Sequence, residues 1–176
     1  MFDLNETTAL LRRTPAALDA LLRGLPDMWT SRNEGEGTWS VRDVIAHLIF
    51  GERTDWMPRT RLILDYGDTR PFDPFDRVAS VQEKGPIGDL LDEFSRLRAV
   101  SLDHLRALRL TEADLARRGL HPALGTVTLA QLLAAWAAHD LTHLHQISRV
   151  MAHQIRDDAG PWTAFMGVMQ CDGHSA

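Results

Sequence analysis

Cysteine is nearly absent from this chain. The single one, Cys171, excludes an intrachain disulfide framework and a cysteine-rich zinc module. Long apolar runs are missing too. In the C-terminal third the longest is LLAAWAA, residues 132–138, far short of the roughly 20 residues a membrane span needs. Basic residues are not in excess: 19 stand against 24 acidic ones, for a net charge of −5. A dedicated nucleic-acid binder would carry a clustered basic patch instead, so no nucleic-acid partner and no membrane are expected. The opening stretch MFDLNETTALLRR has no basic segment leading into an apolar one. A soluble, reducing, cytoplasmic setting is therefore expected. No segment alternates apolar and polar residues as a half-buried strand would, and no internal repeat is evident.

What is present is helical periodicity. With 176 residues, 44% hydrophobic and 24% charged, the chain has the balance of one globular domain, spanning 1–176. It is long enough to bury a core without disulfide staples. A first helical stretch covers about 4–25, with Thr14-Pro15 interrupting it as an N-cap followed by proline at the first helical position. Ala16, Leu18, Leu21, Leu22 and Leu25 form its stripe. After a polar loop at 30–37, Ser40 caps a second helix and Asp43 completes an acidic variant of the capping box. Val41, Val44, Ile45, Leu48 and Ile49 recur at three and four, and the pattern runs to about Tyr66. Pro58 is expected to kink or divide this helix. Residues 67–85 are irregular and, extended, span about 60 Å. A helix of about 25 residues is only about 38 Å long. The crossover can thus run the length of a bundle, and the second and third helices need not be antiparallel neighbours. The third helix is expected at 86–109, a short turn at Thr111–Asp114, a connection over 117–127, and a fourth helix at 129–156 capped by Thr128 and Gln131. Gly160-Pro161 introduces a short C-terminal helix at 161–169. The fold class is all-α: a four-helix bundle with a long crossover between helices two and three.

Eight histidines carry the functional signal. His139 and His143 are four apart in AWAAHDLTHLHQI, which stacks them on one helix face with Cβ atoms about 6 Å apart. Such a pair suits a metal ion at about 2.0–2.1 Å from each nitrogen. The same face carries Trp136 and Gln146, and points inward beside Ile147 and Val150; His145 points away. His47 sits within the apolar stripe of the second helix, one turn from Asp43 and Gly51. Gly51 leaves room there, and Asp43 is placed to orient the His47 ring through its second nitrogen. Each feature also has a plain structural reading, as a surface pair or a hydrogen-bonded core histidine. Three inward imidazoles without partners would, however, be costly to bury. Spacing alone does not set His47 opposite the pair.

Two segments supply what spacing lacks. TWSVRDVIAHLIFGERTDWMPR, residues 38–59, and AAHDLTHLHQISRV, residues 137–150, resemble the two signatures of the DinB-like superfamily, also called the YfiT-like metalloenzymes. The leading Thr-Pro helix and the closing Gly-Pro-Trp segment fit the same pattern. The resemblance implies a four-helix bundle whose histidine triad binds a divalent metal, with His47, His139 and His143 as ligands. His104, His121, His145, His153 and His174 match no ligand position and are expected to be ordinary polar residues. Family members include thiol-dependent transferases and isomerases, so the resemblance implies a metal site more firmly than any one reaction. It does not imply the DNA polymerase that shares the DinB name.

Three neutral imidazoles leave an ion its charge and its open positions. A water or a thiol becomes acidic there, which gives a hydrolase or a thiol S-transferase. Zinc or nickel is the expected ion, with iron or manganese as alternatives. A low-molecular-weight thiol is a candidate cosubstrate, and a small molecule the candidate substrate. No general base is evident. Asp140 lies about 100° round the helix from His139, and Glu52 and His145 are expected to be solvated. Trp39 and Trp136 are expected to pack the core, with Trp56 and Trp162 between helices or at a dimer contact. Arg53, Arg59 and Arg61 are expected to be solvated, unless they hold the carboxylates of a thiol. A homodimer is expected, from the long faces a bundle offers and from the family. The rival reading is a non-catalytic metal-binding module in stress response or sensing.

Overall fold

Caps written into the sequence start three of the four main helices, in a computed structural model that describes residues 2–171. Helix α1, Leu4–Leu22, opens on Asp3, whose carboxylate accepts from the Asn5 and Glu6 amides. After the single turn α2, Met28–Ser31, helix α3, Val41–Thr54, begins with the expected Ser40–Asp43 capping box. The helical pattern then breaks at Asp55, and α4 runs over Trp56–Tyr66. Pro58 thus falls in a first turn, where its missing N–H costs nothing. Helix α5 is Ile87–Ala107, α6 is the capped turn Glu112–Leu115, and α7 is Leu129–His153 behind the Thr128–Gln131 capping box. The turn α8, Arg156–Ala159, leads into the C-terminal segment. There the helix expected at 161–169 takes 3-10 form, as Gly160–Phe165 and Gly167–Met169.

Helix α1 packs mainly on α5 and α7, and α3 mainly on α5, with further contacts to the crossover, α4 and α7. Their directions follow from cross-helix pairs. Asp43 meets Lys84 while Glu52 meets Arg98, so α3 and α5 run parallel. Crossover residues 67–86 make this parallel pairing reachable, returning along the bundle with a 3-10 turn at Ala79–Val81. Helix α7 is antiparallel to α3: Glu52 meets Trp136, and His47 meets His139.

Two further features depart from the sequence reading. Thr14-Pro15 does not start a new helix; α1 passes through it unbroken. Proline inside a helix leaves the carbonyl four residues back without its donor. Here that carbonyl is Leu11 O, and Arg98 Nη1 donates to it at 2.7 Å. Residues 117–127 are not a plain connection but include an antiparallel hairpin, β1 Arg118–His121 with β2 Gly125–Thr128. Four-residue strands are too short for alternation to show. Gly119 lets β1 lie on α4, since a Cβ there would sit 2.6 Å from Ile63 Cγ1. The crossover ties on as well, with the Phe72 amide donating to Leu120 O at 2.9 Å.

Apolar side chains form two clusters, one toward each end of the bundle. One holds Leu11, Met57, Leu102, Leu105, Leu133 and Trp136. The other holds Leu18, Leu22, Ile45, Phe94, Ile147 and Val150. Each such aliphatic side chain contributes roughly 1.5–3 kcal/mol when fully buried. Between them lies a polar layer of buried Thr14, Glu52, Arg98 and Asp140. The histidines lie beside it.

Candidate metal centre

His47 comes from α3, and His139 and His143 come from successive turns of α7. Antiparallel packing of the two helices brings the three rings together. His139 Nε2 lies 3.0 Å from His47 Nε2 and 3.1 Å from His143 Nε2. One ligand nitrogen from each ring falls within 4.8 Å of the others. His47 and His143 are buried and His139 is half-buried. Aromatic rings wall them in: Trp39 and Phe75 lie 5.0 and 5.3 Å from the His47 ring, and Trp56 lies 5.1 Å from that of His139.

The protonation pattern follows from this setting. Burial, reinforced by the neighbouring imidazole His143, lowers the pKa of His47 to about 3 and that of His139 to about 2. Burial also lowers His143, opposed by its hydrogen bond to Gln146. All three rings are therefore neutral at neutral pH. His143 Nδ1 lies 2.7 Å from Gln146 Oε1, so with the amide oxygen accepting, the proton sits on Nδ1 and Nε2 is bare. His139 Nε2 can then donate to one neighbour but cannot satisfy both. At least one close N···N contact lacks a proton to share. A cation accepting all three lone pairs removes that conflict. An ion with tetrahedral bonds of about 2.0–2.1 Å sets its ligand nitrogens about 3.3 Å apart, close to the separations seen. The residues fit a divalent metal.

The other candidates fall into place around this cluster. Gln146, buried, holds His143. Trp136 is fully buried, stacks on Trp56 with centroids 5.6 Å apart, and donates its Nε1–H to Glu52 Oε1 at 3.0 Å; it is core. Gly51 leaves space that is filled, because a Cβ there would lie 3.3 Å from Trp56 Nε1. This close approach puts Trp56 against His139. Asp43 does not orient His47. Its carboxylate accepts from the Ser40 amide and hydroxyl and from Lys84, while His47 Nδ1 has no hydrogen-bond partner among the described residues. Its place in the capping box commits this short side chain to the helix end.

Glu52 is not solvated. It is buried and accepts from Arg98 Nε at 2.9 Å, and burial raises its pKa despite that guanidinium. Asp140 turns away from the histidines and accepts from both Arg98 terminal nitrogens and from the Thr14 hydroxyl. A charged residue inside an apolar stripe was the available signal for both. Arg98 gives the same signal between Phe94 and Leu102, and the sequence reading passed over it. His104, His145 and His153 are exposed; His174 lies outside the described residues. Trp162 is exposed, so it does not pack between helices. Arg53 pairs with Glu83 and Glu93 on the surface, and Arg61 is exposed.

One side of the cluster is open. A cleft of about 530 Å³ is lined by His47, His139, Asp55, Trp56, Arg59 and Phe75. Arg59 is thus at a cavity wall rather than in bulk solvent, with Nη2 2.9 Å from Asp55 Oδ1. Burial raises the Asp55 pKa to about 6 even so.

Comparison with known proteins agrees with this architecture. Residues 10–147 match the family model described as the DinB superfamily. A solved structure, YfiT from Bacillus subtilis, is described as a probable metal-dependent hydrolase with an unusual four-helix bundle topology. It is 23% identical, with a TM-score of 0.67 over 82% of this chain and 85% of its own. That likeness shows a shared fold. No curated protein matches the sequence.

Proposed function

The chain belongs to the DinB superfamily, and on that premise we propose that it is a divalent-metal enzyme with His47, His139 and His143 as the ligands. Zinc or nickel suits an all-imidazole set. When bound, such an ion keeps its positive charge and acidifies a water or a thiol at neutral pH. The observation that carries the proposal is the cluster's open side: the three rings converge, and two of them, His47 and His139, border a cleft of about 530 Å³. A non-catalytic binding module needs no such cleft.

The chain's own residues supply the rest. Gln146 holds His143 in the tautomer that leaves Nε2 free. Trp39, Trp56 and Phe75 exclude water around the rings and keep the local dielectric low, which strengthens charge interactions with a substrate. Hydrolysis is the reading favoured by the description of YfiT, and transfer of a small thiol uses the same acidity. The substrate is a small molecule on grounds of cleft size. We also propose a cytoplasmic homodimer. Among the described residues no helix is long and apolar enough to cross a membrane.

Elemental analysis of untagged protein tests the proposal. About one ion per chain is expected in the wild type, and none in His47→Ala or His139→Ala. A wild type that takes up no zinc, nickel or manganese on reconstitution overturns it. Hydrolytic and thiol-transfer screens of the loaded protein then separate the two chemistries.

A further inference from the structure

Beyond the cleft at the histidines lies a second cavity of about 450 Å³, under the β1–β2 hairpin. Its own lining is largely apolar, from Phe72, Leu124, Val127, Leu132 and Ala135. Three residues line both cavities: Trp56, Arg59 and His121. They form a waist between an apolar lobe and a lobe that ends at the histidine cluster.

The waist is rich in donors. Arg59 is paired with Asp55 through Nη2 alone, and no described residue accepts a hydrogen bond from its other nitrogens. Its guanidinium stands 5.4 Å from the Phe72 ring centroid, which restrains the side chain. His121 has its tautomer set by the hairpin turn. Its Nδ1 accepts from the Ala123 and Leu124 amides at 3.1 and 3.2 Å, so the ring is protonated at Nε2, which has no acceptor among the described residues. His121 Nε2–H and the Arg59 nitrogens other than Nη2 thus border the cavity without acceptors among the described residues. Asp55 offsets much of the Arg59 charge, so the waist suits a monoanion better than a dianion. The guanidinium fork matches a carboxylate.

We propose that Arg59, assisted by His121, holds the carboxylate of a small substrate whose apolar part fills the lobe under the hairpin and whose reacting group lies in the histidine lobe. This names a substrate class for the site and rests on the metalloenzyme reading for the role of the second lobe only. Arg59 is a specificity-determining residue in this arrangement, and the hairpin is a wall of the substrate site.

Calorimetry with 3-phenylpropanoate and its neutral isostere 3-phenylpropanamide tests it on wild type, Arg59→Gln, Arg59→Lys and Ala135→Phe, each with and without chelation of metal. Wild type is expected to bind the acid roughly tenfold or more tightly than the amide. Arg59→Gln is expected to bind both alike, and Arg59→Lys, which keeps charge without the fork, to retain part of the preference. Ala135→Phe projects into the apolar lobe from an exposed position of α7, and is expected to weaken acid and amide together. A preference that survives Arg59→Gln, or one that vanishes on chelation alone, puts the carboxylate elsewhere and overturns the proposal. Failure of the wild type to bind the acid at millimolar concentration overturns it too. A chain that binds no metal yet shows the Arg59-dependent preference defeats the metalloenzyme reading and leaves the carboxylate site standing.

Discussion

Asp140 lies between His139 and His143 on α7, yet the two sets of buried polar atoms end differently. Asp140 uses both carboxylate oxygens within the protein, on Arg98 and Thr14. Arg98 engages all three of its nitrogens, on Glu52, Leu11 O and Asp140. The histidine set instead leaves His47 Nδ1, His139 Nδ1 and Gln146 Nε2 without partners, while three Nε2 atoms crowd together. A buried polar atom without a partner costs about 1–3 kcal/mol. Single orphans occur elsewhere, as at Thr60 Oγ1 and at Glu52 Oε2 beside Arg98, but among the described residues only the histidine set gathers several around a convergent point beside a cleft. The mutual pairing of Arg98 and Asp140 marks their cluster as structure, and the gathering of several unpartnered atoms marks the histidines as a place for a ligand.

The comparison can be broken at either side. Arg98→Met strips the cation from between two buried carboxylates and frees the Leu11 carbonyl. It is expected to lower unfolding stability by about 3–5 kcal/mol in urea titrations, the usual cost of breaking a buried ion pair. A loss below about 1 kcal/mol would show that the cluster is not what holds the helices. Gln146→Leu acts on the other side. It removes the acceptor that sets the His143 tautomer, and metal affinity is expected to fall about 10–100-fold with the fold intact. Competition with a chromogenic chelator reads that change, and an unaltered affinity would remove Gln146 from the site.

A smaller effect sharpens the contrast through pH. The folded-state pKa values of His47 and His139 lie near 3 and 2, below the ordinary 6.5. As pH falls below 6.5 the unfolded chain therefore takes up protons that the folded one does not. Stability of the ion-free protein is full above that value and declines through the window down to about 3 for His47 and about 2 for His139. Between about pH 7 and pH 5.5 the expected loss is about 1 kcal/mol for each histidine. His139→Ala should show a shallower slope in thermal melts across that range. Equal slopes in the two proteins would mean that His139 is not held neutral by burial.

Much of this was legible in the chain. The Ser40–Asp43 and Thr128–Gln131 boxes start their helices as read, because a cap is a local event needing only neighbours in sequence. The four-residue spacing of His139 and His143 put both rings on one face for the same reason. What failed depended on distant partners. Glu52 looked like a surface acid because its partner Arg98 is 46 residues away. Asp43 looked free to serve His47, although the capping box and Lys84 had already taken it. Pro15 looked like a helix start, since nothing nearby announces that Arg98 will satisfy Leu11 O. The hairpin was missed because its strands are short and their pairing is closed by packing on α4.

Sequence alone determined the helices, their caps, the apolar stripes and the pair of imidazoles on α7, since all of these rest on interactions within a turn or two of one chain segment. Only the tertiary structure decided that α3 runs parallel to α5 and antiparallel to α7. That arrangement brings His47 within 3.0 Å of His139, buries Arg98 beside Asp140, and sets Arg59 at the waist of a two-lobed cleft. Burial and pairing across helices are properties of the packed whole. The same residue type becomes a structural ion, a metal-ligand candidate or a surface charge according to what the opposing helix presents to it.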